Sequence, residues 1–350
     1  MTPTKAYAAQ AQAAPLELFD IERRGIGSED VQIAIDYCGV CHSDLHMVNN
    51  DWGLSAYPIV PGHEIMGHVT GVGDNVTRFQ VGDRVGVGCF VDSCRTCEAC
   101  KANLEQYCLT GFTMTYGSQT KDPGGLTFGG YSKAIVCDQN YVLRVPENLD
   151  LAGAAPLLCA GITTYSPLRY WHVKAGQTVG IIGLGGLGHM GVKFASAMGA
   201  YTVMITRSPE KGEDAKALGA NDVLLSTDEQ AMQAWADKFD FLLNTIPVVH
   251  DLNPYLNLLK FSSTMCIVGA IGEFQSLQVP QMIFGRRAVA GSLIGGIQET
   301  QEMLNFCGEK NVTADVEVIA MQNINDAYKR MQKSDVKYRF VIDMKTLADS

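Results

Sequence analysis

Two rhythms of apolar and polar positions divide the chain. Up to about residue 160 the apolar residues come in short, β-branched runs. Residues 31–37 (VQIAIDY), 65–72 and 81–87 are such runs, bounded by Gly, Asp or Asn, and the pattern predicts strands of a small barrel or sandwich. Residues 109–130 are rich in Gly, Thr and Ser and read as loop. From about residue 175 the rhythm changes. QTVGIIG is an apolar strand, GGLGHMGVKFASAMGA a helix ending in Gly-Ala, and YTVMIT a strand. SPEKGEDAKALGA is a helix opened by Ser-Pro; DVLLS and FDFLLN are strands around a polar helical stretch; TMCIVGA is a further strand. Alternation at this spacing implies a parallel sheet with helices on both faces. After about residue 297 the pattern predicts a helix (ETQEMLNFCGEK), a strand (VEVI), a helix (INDAYKRM) and a strand (KYRFVID).

Composition narrows the classes. A chain of 350 residues suits two domains, and 47% hydrophobic with 18% charged residues supports a sizeable core and excludes global disorder. The net charge of −10 argues against duplex nucleic acid or an anionic membrane as the main partner. The opening MTPTKAYAAQAQAAPLELFD has no apolar core after a basic start, and the apolar runs are too short and broken to span a bilayer. The expected location is therefore the cytoplasm. Thiols stay reduced there, so the 11 cysteines point first to metal.

The segment GIIGLGGLGHMG contains Gly183-x-Gly185-x-x-Gly188, with Leu184, Gly186 and Leu187 between. Following a strand and opening a helix, it reads as a dinucleotide fingerprint. Gly183 permits the tight turn, Gly185 lets the backbone approach a pyrophosphate, and Gly188 lets helix and strand pack closely. Binders of NAD usually place an acid about 20 residues further on. Here Thr206, Arg207 and Ser208 end the second strand and Lys211 follows. A hydroxyl and two cations suit a 2′-phosphate, which predicts NADP(H); the bland alternative is two ordinary solvated charges.

CRTCEACKANLEQYC sets Cys94, Cys97, Cys100 and Cys108 at C-x2-C-x2-C-x7-C, enough to close a tetrahedron on one structural zinc. A ferredoxin run begins the same way but continues x3-C-P, so zinc is favoured over an iron–sulfur cluster. YCGVCHSDLH (37–46) is less decisive. A thioredoxin-like pair, Cys38 with Cys41, would leave the rest of the chain idle. The alternative joins Cys41 to His63 and Glu64 in PGHEIMG and to Cys159 in PLLCAGITTY, a Cys2His set with one free position. Spacing alone does not select these three.

Together, YCGVCHSDLH, PGHEIMG, the four-cysteine lobe, PLLCAGITTYSPL and GLGGLGHMG resemble the zinc-dependent medium-chain alcohol dehydrogenases. The resemblance is nearest to the cinnamyl alcohol dehydrogenase and broad-range NADPH-dependent aldehyde reductase branch, and runs the length of the chain. It implies an α/β plus β architecture. A GroES-like barrel catalytic domain would span 1–160 and 298–350, with its structural zinc lobe at about 89–112. A Rossmann domain, a doubly wound parallel sheet, would be inserted at 161–297.

By matching residues, the resemblance makes Cys41, His63 and Cys159 the catalytic zinc ligands, with Glu64 able to approach the metal. Asp44 orients the ligand histidine, Ser43 meets the substrate alcohol, and His46 ends a proton relay through a cofactor ribose hydroxyl. His42 and Arg339 meet the pyrophosphate. Thr163 touches the nicotinamide, and Val268, Ala270 and Ile297 fall in segments that line it. Trp52 and Phe90 match pocket positions, with ordinary core packing as the competing explanation; aromatic walls suit uncharged aldehydes. A zinc-free quinone reductase and a silent NADPH or zinc sensor are the competing readings, and each would need a lost ligand. The resemblance also implies a homodimer joined by edge strands around 285–297. Cys38, Cys89, Cys137, Cys266 and Cys307 are expected to be core filler, and His68, His172, His189 and His250 carry no expected role.

Overall fold

The apolar pattern predicts nothing in the first 25 residues, yet β1 (Thr2–Ala8) and β2 (Glu17–Arg23) pair there as an antiparallel hairpin. The computed structural model describes residues 1–120, 125–269, 272–273 and 276–347. The eleven-residue β3 (Asp30–Val40) follows, and ends at the Cys41 turn that starts α1 (His42–Asn49). Next come β4 (Ile65–Val72), β5 (Arg84–Val87), β6 (Phe90–Asp92) and the short α2 (Glu98–Lys101). The loop-rich stretch contributes only β7 (Thr113–Met114), which pairs with β6. Strands β8 (Ala134–Asp138) and β9 (Leu143–Arg144) and helix α3 (Leu151–Ala154) complete this part.

The alternating region begins with α4 (Ala160–Tyr170). It continues with β10 (Thr178–Ile182), α5 (Gly188–Ala197), β11 (Tyr201–Thr206), α6 (Lys211–Ala217), β12 (Asp222–Leu225) and α7 (Glu229–Ala234). It ends with β13 (Phe239–Asn244), α8 (Asn253–Leu256), β14 (Leu259–Ile267), α9 (Val279–Gly285) and β15 (Ala288–Gly291). The six strands form one parallel sheet in the order β12-β11-β10-β13-β14-β15. The order reverses at β10, the switch point at which doubly wound sheets bind dinucleotides beyond the carboxyl ends of their strands. Ile182, Val203, Ile205, Phe239, Leu242 and Met265 form part of the buried apolar cluster on this sheet. Their near-continuous apolar strands are what a sheet covered on both faces requires.

The last stretch supplies α10 (Ile297–Lys310), β16 (Val316–Ala320), α11 (Ile324–Gln332) and β17 (Arg339–Asp343). Strand β17 lies between β16 and β3, so the end of the chain closes the sheet that the beginning started. That sheet runs β16-β17-β3-β4-β5-β9, with β8 also on β3. The chain divides into two compact units, Met1–Cys159 with Gly295–Ser350, and Ala160–Ile294. Among the described residues, no single helix is long and apolar enough to cross a membrane.

Candidate metal centres and cofactor loop

Between β6 and β7 the chain has little apolar material to bury, and thiols organise it instead. Cys97 precedes α2 and Cys100 lies within it. The metal-binding atoms of Cys94, Cys97, Cys100 and Cys108 all lie within 4.8 Å of one another. Cys94 Sγ and Cys100 Sγ are 3.9 Å apart. The N–H groups of Thr96 and Cys97 draw Cys94 down to about 5, the Thr110 hydroxyl and the Cys94 N–H lower Cys108, and burial pushes Cys100 up to about 11. Two of the four sulfurs are thus shifted toward the thiolate, the form that binds metal. Arg95 fastens the lobe by bonding Asp92 and Asp138, both at 2.9 Å.

The second cluster draws on three separate turns. Cys41 stands at the start of α1, His63 and Glu64 precede β4, and Cys159 lies just before α4. Their ligand atoms also lie within 4.8 Å of one another, and all four residues are buried. Two sulfurs held by one zinc at about 2.3 Å in a tetrahedron are about 3.8 Å apart; Cys41 Sγ and Cys159 Sγ are 3.9 Å apart. His63 turns Nδ1 to Asp44 Oδ1 at 3.0 Å, which leaves Nε2 for a metal. Glu64 Oε1 meets Arg339, while its Oε2 is buried without a hydrogen-bond partner. The donor set and the orphaned oxygen fit a zinc site with a carboxylate in reserve.

The electrostatics agree. The hydrogen bond from Cys159 lowers Cys41 well below an ordinary thiol, against burial and with help from Arg339 and His63. The same bond raises Cys159, with Cys89 and burial adding to it. Burial opposes the His63 imidazolium, but Asp44, Cys89 and Cys41 together outweigh it and raise the ring. Burial lifts Glu64 to about 7 in spite of Arg339.

Asp44 joins the cluster through local structure. As the third residue of α1 it accepts the Cys41 N–H at 2.9 Å, which caps the helix, and its other oxygen takes His63. Ser43 Oγ lies 3.6 Å from Cys41 Sγ. His46 bonds Asp51 at 2.7 Å, a partner the sequence did not single out; the left-handed Asn50 turns the chain back toward it. Trp52 packs its ring 5.3 Å from that of His46 and is 37% exposed. His42 is exposed. Phe90 is buried against Phe112 and Tyr141, which is the packing role that competed with a pocket role. Arg339, expected at a pyrophosphate, is buried in its pair with Glu64.

Cys38, Cys137, Cys266 and Cys307 are buried as core thiols. Cys89 departs from that expectation. It sits in the bend between β5 and β6 rather than inside a strand, is half-buried, and bonds Leu158 O at 3.5 Å beside Cys159.

The glycine loop joins β10 to α5. Gly183 has φ +93°, a conformation that favours glycine, and a Cβ on Gly188 would stand 1.9 Å from Gly183 O. Gly185 faces open space. Leu184 is buried, and Gly186 and Leu187 are half-buried in the same turn. Thr206 ends β11, the Ser208 N–H bonds its hydroxyl at 3.2 Å, Arg207 is exposed, and Lys211 Nζ meets Leu184 O at 3.0 Å. Of these groups Lys211 is the one in contact with the glycine loop. Thr163 is buried on α4, and Val268 follows β14, its N–H on Asn244 O at 3.0 Å. Ile297 opens α10, its N–H bonded to Glu105 Oε2 at 3.1 Å. Ala270 lies outside the described residues.

Comparison with known proteins gives concordant matches. Residues 27–147 match the family described as Alcohol dehydrogenase GroES-like domain, and residues 186–309 match Zinc-binding dehydrogenase. The chain is 54% identical over 347 residues to Aldehyde reductase YahK of Escherichia coli (strain K12), covering 99% of each. It is 51% identical over 348 residues to NADP-dependent alcohol dehydrogenase C 1 of Mycolicibacterium smegmatis, again covering 99% of each. Among solved structures, a cinnamyl alcohol dehydrogenase (SbCAD4) from Sorghum bicolor superposes with a TM-score of 0.95 at 43% identity, covering 100% of both chains.

Proposed function

Because the chain belongs to the zinc-dependent medium-chain alcohol dehydrogenases, we propose that it reduces uncharged aliphatic and aromatic aldehydes to primary alcohols with NADPH, and that it also runs the reverse oxidation. The observation that carries this reading is the convergence of Cys41, His63 and Cys159, with Glu64 beside them, on one buried point. Cys41, His63 and Cys159 would hold a zinc ion able to supply Lewis-acid polarisation of a carbonyl, bound NADPH would be the hydride source, and Cys94, Cys97, Cys100 and Cys108 would hold a structural zinc.

The protein's own groups do the rest. Asp44 fixes the His63 ring so that Nε2 faces the metal position. The Ser43 hydroxyl delivers the proton that turns the reduced oxygen into an alcohol. His46, half-buried and paired with Asp51, restores that proton from the solvent side. The N–H groups at the start of α5 and the glycine loop take the pyrophosphate. His42 adds a basic group there, and Arg339 acts on the cofactor side through its charge. Thr206, Arg207, Ser208 and Lys211 take the 2′-phosphate, which an acidic residue in their place would repel. Thr163, Val268, Ala270 and Ile297 belong to the nicotinamide end, and Trp52 and Phe90 to the substrate walls.

The domain reading follows the same lines, with a catalytic domain at 1–160 and 298–350 and a cofactor domain at 161–297. The protein works in the cytoplasm as a homodimer joined along β15. Next to that edge Ile283 and Phe284 are 69% and 88% exposed, more apolar surface than a lone subunit keeps without a use.

A panel of NADPH-oxidation assays tests the reading: benzaldehyde, cinnamaldehyde, short and long alkanals, and a ketone, each repeated with NADH. Aldehydes should be turned over with NADPH at a kcat/KM at least about tenfold above that with NADH. Absence of turnover with every aldehyde, or a preference for NADH, would overturn it.

A further inference from the structure

Asp44 is fully buried, and its carboxylate must find all its hydrogen bonds inside the protein. It finds four. Oδ1 takes the Gly62 N–H and His63 Nδ1, both at 3.0 Å. Oδ2 takes the Cys41 N–H at 2.9 Å and the Tyr131 hydroxyl at 3.3 Å. Three of these donors belong to metal ligands or to the turn beside them. Tyr131 is the fourth, and it comes from the loop before β8.

Tyr131 is well held for such a part. It is fully buried, its N–H bonds Pro61 O at 3.0 Å, and its carbonyl takes the Tyr7 N–H at 2.8 Å. Its ring lies on Gly62: a Cβ there would be 2.7 Å from Tyr131 Cδ1. The ring therefore backs the turn that presents His63, while the hydroxyl holds the carboxylate that orients it. Burial and then the Asp44 charge raise the phenol well above its ordinary range.

We propose that Tyr131 is a positioning residue of the catalytic metal site, acting through Asp44 on both Cys41 and His63. The inference rests on the functional reading above, in that it takes the Cys41–His63–Cys159 cluster to hold zinc. Without the hydroxyl, Asp44 Oδ2 keeps a single donor. The carboxylate is then free to turn, and His63 loses the fixed orientation and the added basicity that a bonded carboxylate gives a ligand histidine. Partners outside the ligand shell typically change metal affinity 10–100-fold.

Tyr131→Phe removes the hydroxyl and keeps the ring on Gly62. Wild type and variant are dialysed against graded dipicolinate and their zinc content is measured. The chelator concentration that strips the catalytic zinc should fall about tenfold in the variant. The structural zinc should leave at the wild-type concentration, while melting falls modestly because a buried acceptor loses a donor. In the cobalt-loaded proteins the visible d–d bands should shift, and kcat should drop while the KM for NADPH holds. In a Cys159→Ala background, which lacks the catalytic site, Tyr131→Phe should have no effect on the remaining zinc. Equal chelator midpoints with an unshifted cobalt spectrum would overturn the inference, as would an equal loosening of both ions. A wild-type protein that holds fewer than two zinc ions refutes the functional reading itself, and this inference with it.

Discussion

Arg339 and Glu64 form an ion pair whose side chains are 5% and 0% exposed, although 275 residues separate them in sequence. Arg339 opens β17 and Glu64 precedes β4, and both strands flank β3. Sheet topology, not proximity along the chain, puts a permanent cation next to a carboxylate at the metal position. The pair offsets part of the cost of burying the Glu64 charge in the interior.

This pair predicts a pH dependence. Glu64 is lifted from an ordinary value of 4.5 to about 7, by burial against the pull of Arg339. A carboxyl raised on folding contributes stability that is fully present below its unfolded pKa and is lost as pH climbs to the folded one. In zinc-depleted protein, the urea stability of wild type relative to Glu64→Gln should therefore fall between pH 5 and 7, by on the order of 1–3 kcal/mol. A difference that stays flat across that range would remove Glu64 from the account.

The two cysteine clusters should respond differently to loss of one ligand. Cys159→Ala should lower kcat by at least about a thousandfold with little change in melting temperature, since the cluster it disrupts carries out the chemistry. Cys97→Ala should lower melting first, because the lobe around it is held by its sulfurs and by Arg95. Calorimetry and steady-state rates on both variants check the contrast; a fully active Cys159→Ala enzyme contradicts it.

Glu105 lies within the four-cysteine lobe and caps α10 from outside, accepting the Ile297 N–H at 3.1 Å, while Asn103 Nδ2 bonds Gln298 Oε1 at 2.6 Å. Glu105→Ala should cost about 0.5–2 kcal/mol, the usual effect of a lost helix cap. Hydrogen exchange should speed up at the amides of 297–299, and zinc removal from the lobe should do the same in wild type. Unchanged protection at those amides in both experiments would separate lobe and helix.

Exposed Arg207 should act on one cofactor and not the other. Arg207→Ala is expected to lower kcat/KM for NADPH about tenfold or more and leave that for NADH nearly unchanged, because only the 2′-phosphate calls on a guanidinium there. Ser208→Asp should go further and reverse the preference. Parallel titration with the two cofactors reads both effects; equal losses with NADPH and NADH would point to a structural role.

What was readable in the sequence follows from how local each signal is. YTVMIT gives β11 its observed bounds because every residue in it is β-branched, aromatic or apolar and a helix follows on either side. Helix α6 starts at Lys211 rather than at Ser208-Pro209, since those residues form the turn around Thr206. The β1–β2 hairpin is hard to read locally because its first strand, TPTKAYA, carries a proline and a lysine and no run of large apolar residues. The four-cysteine lobe was legible from spacing, whereas the Cys41, His63 and Cys159 set became visible only through the resemblance. Its members sit in three turns that long-range sheet pairing brings together. For the same reason the partners Glu105 and Tyr131 and the burial of Arg339 were beyond a local reading, whereas Asp51, five residues from His46, depends on the left-handed turn at Asn50.

The placement of β17 also fixes a schedule for the newborn chain. Tyr37–Val40 of β3 pair with β17, and Cys41 follows directly. That edge of β3 stays unsatisfied until β17 has been made, a wait on the order of tens of seconds at ordinary synthesis rates. Ala160–Ile294, an uninterrupted piece, can settle while it emerges. The middle of the chain can therefore mature before its beginning, and in the meantime β3 presents an open strand edge next to Cys41.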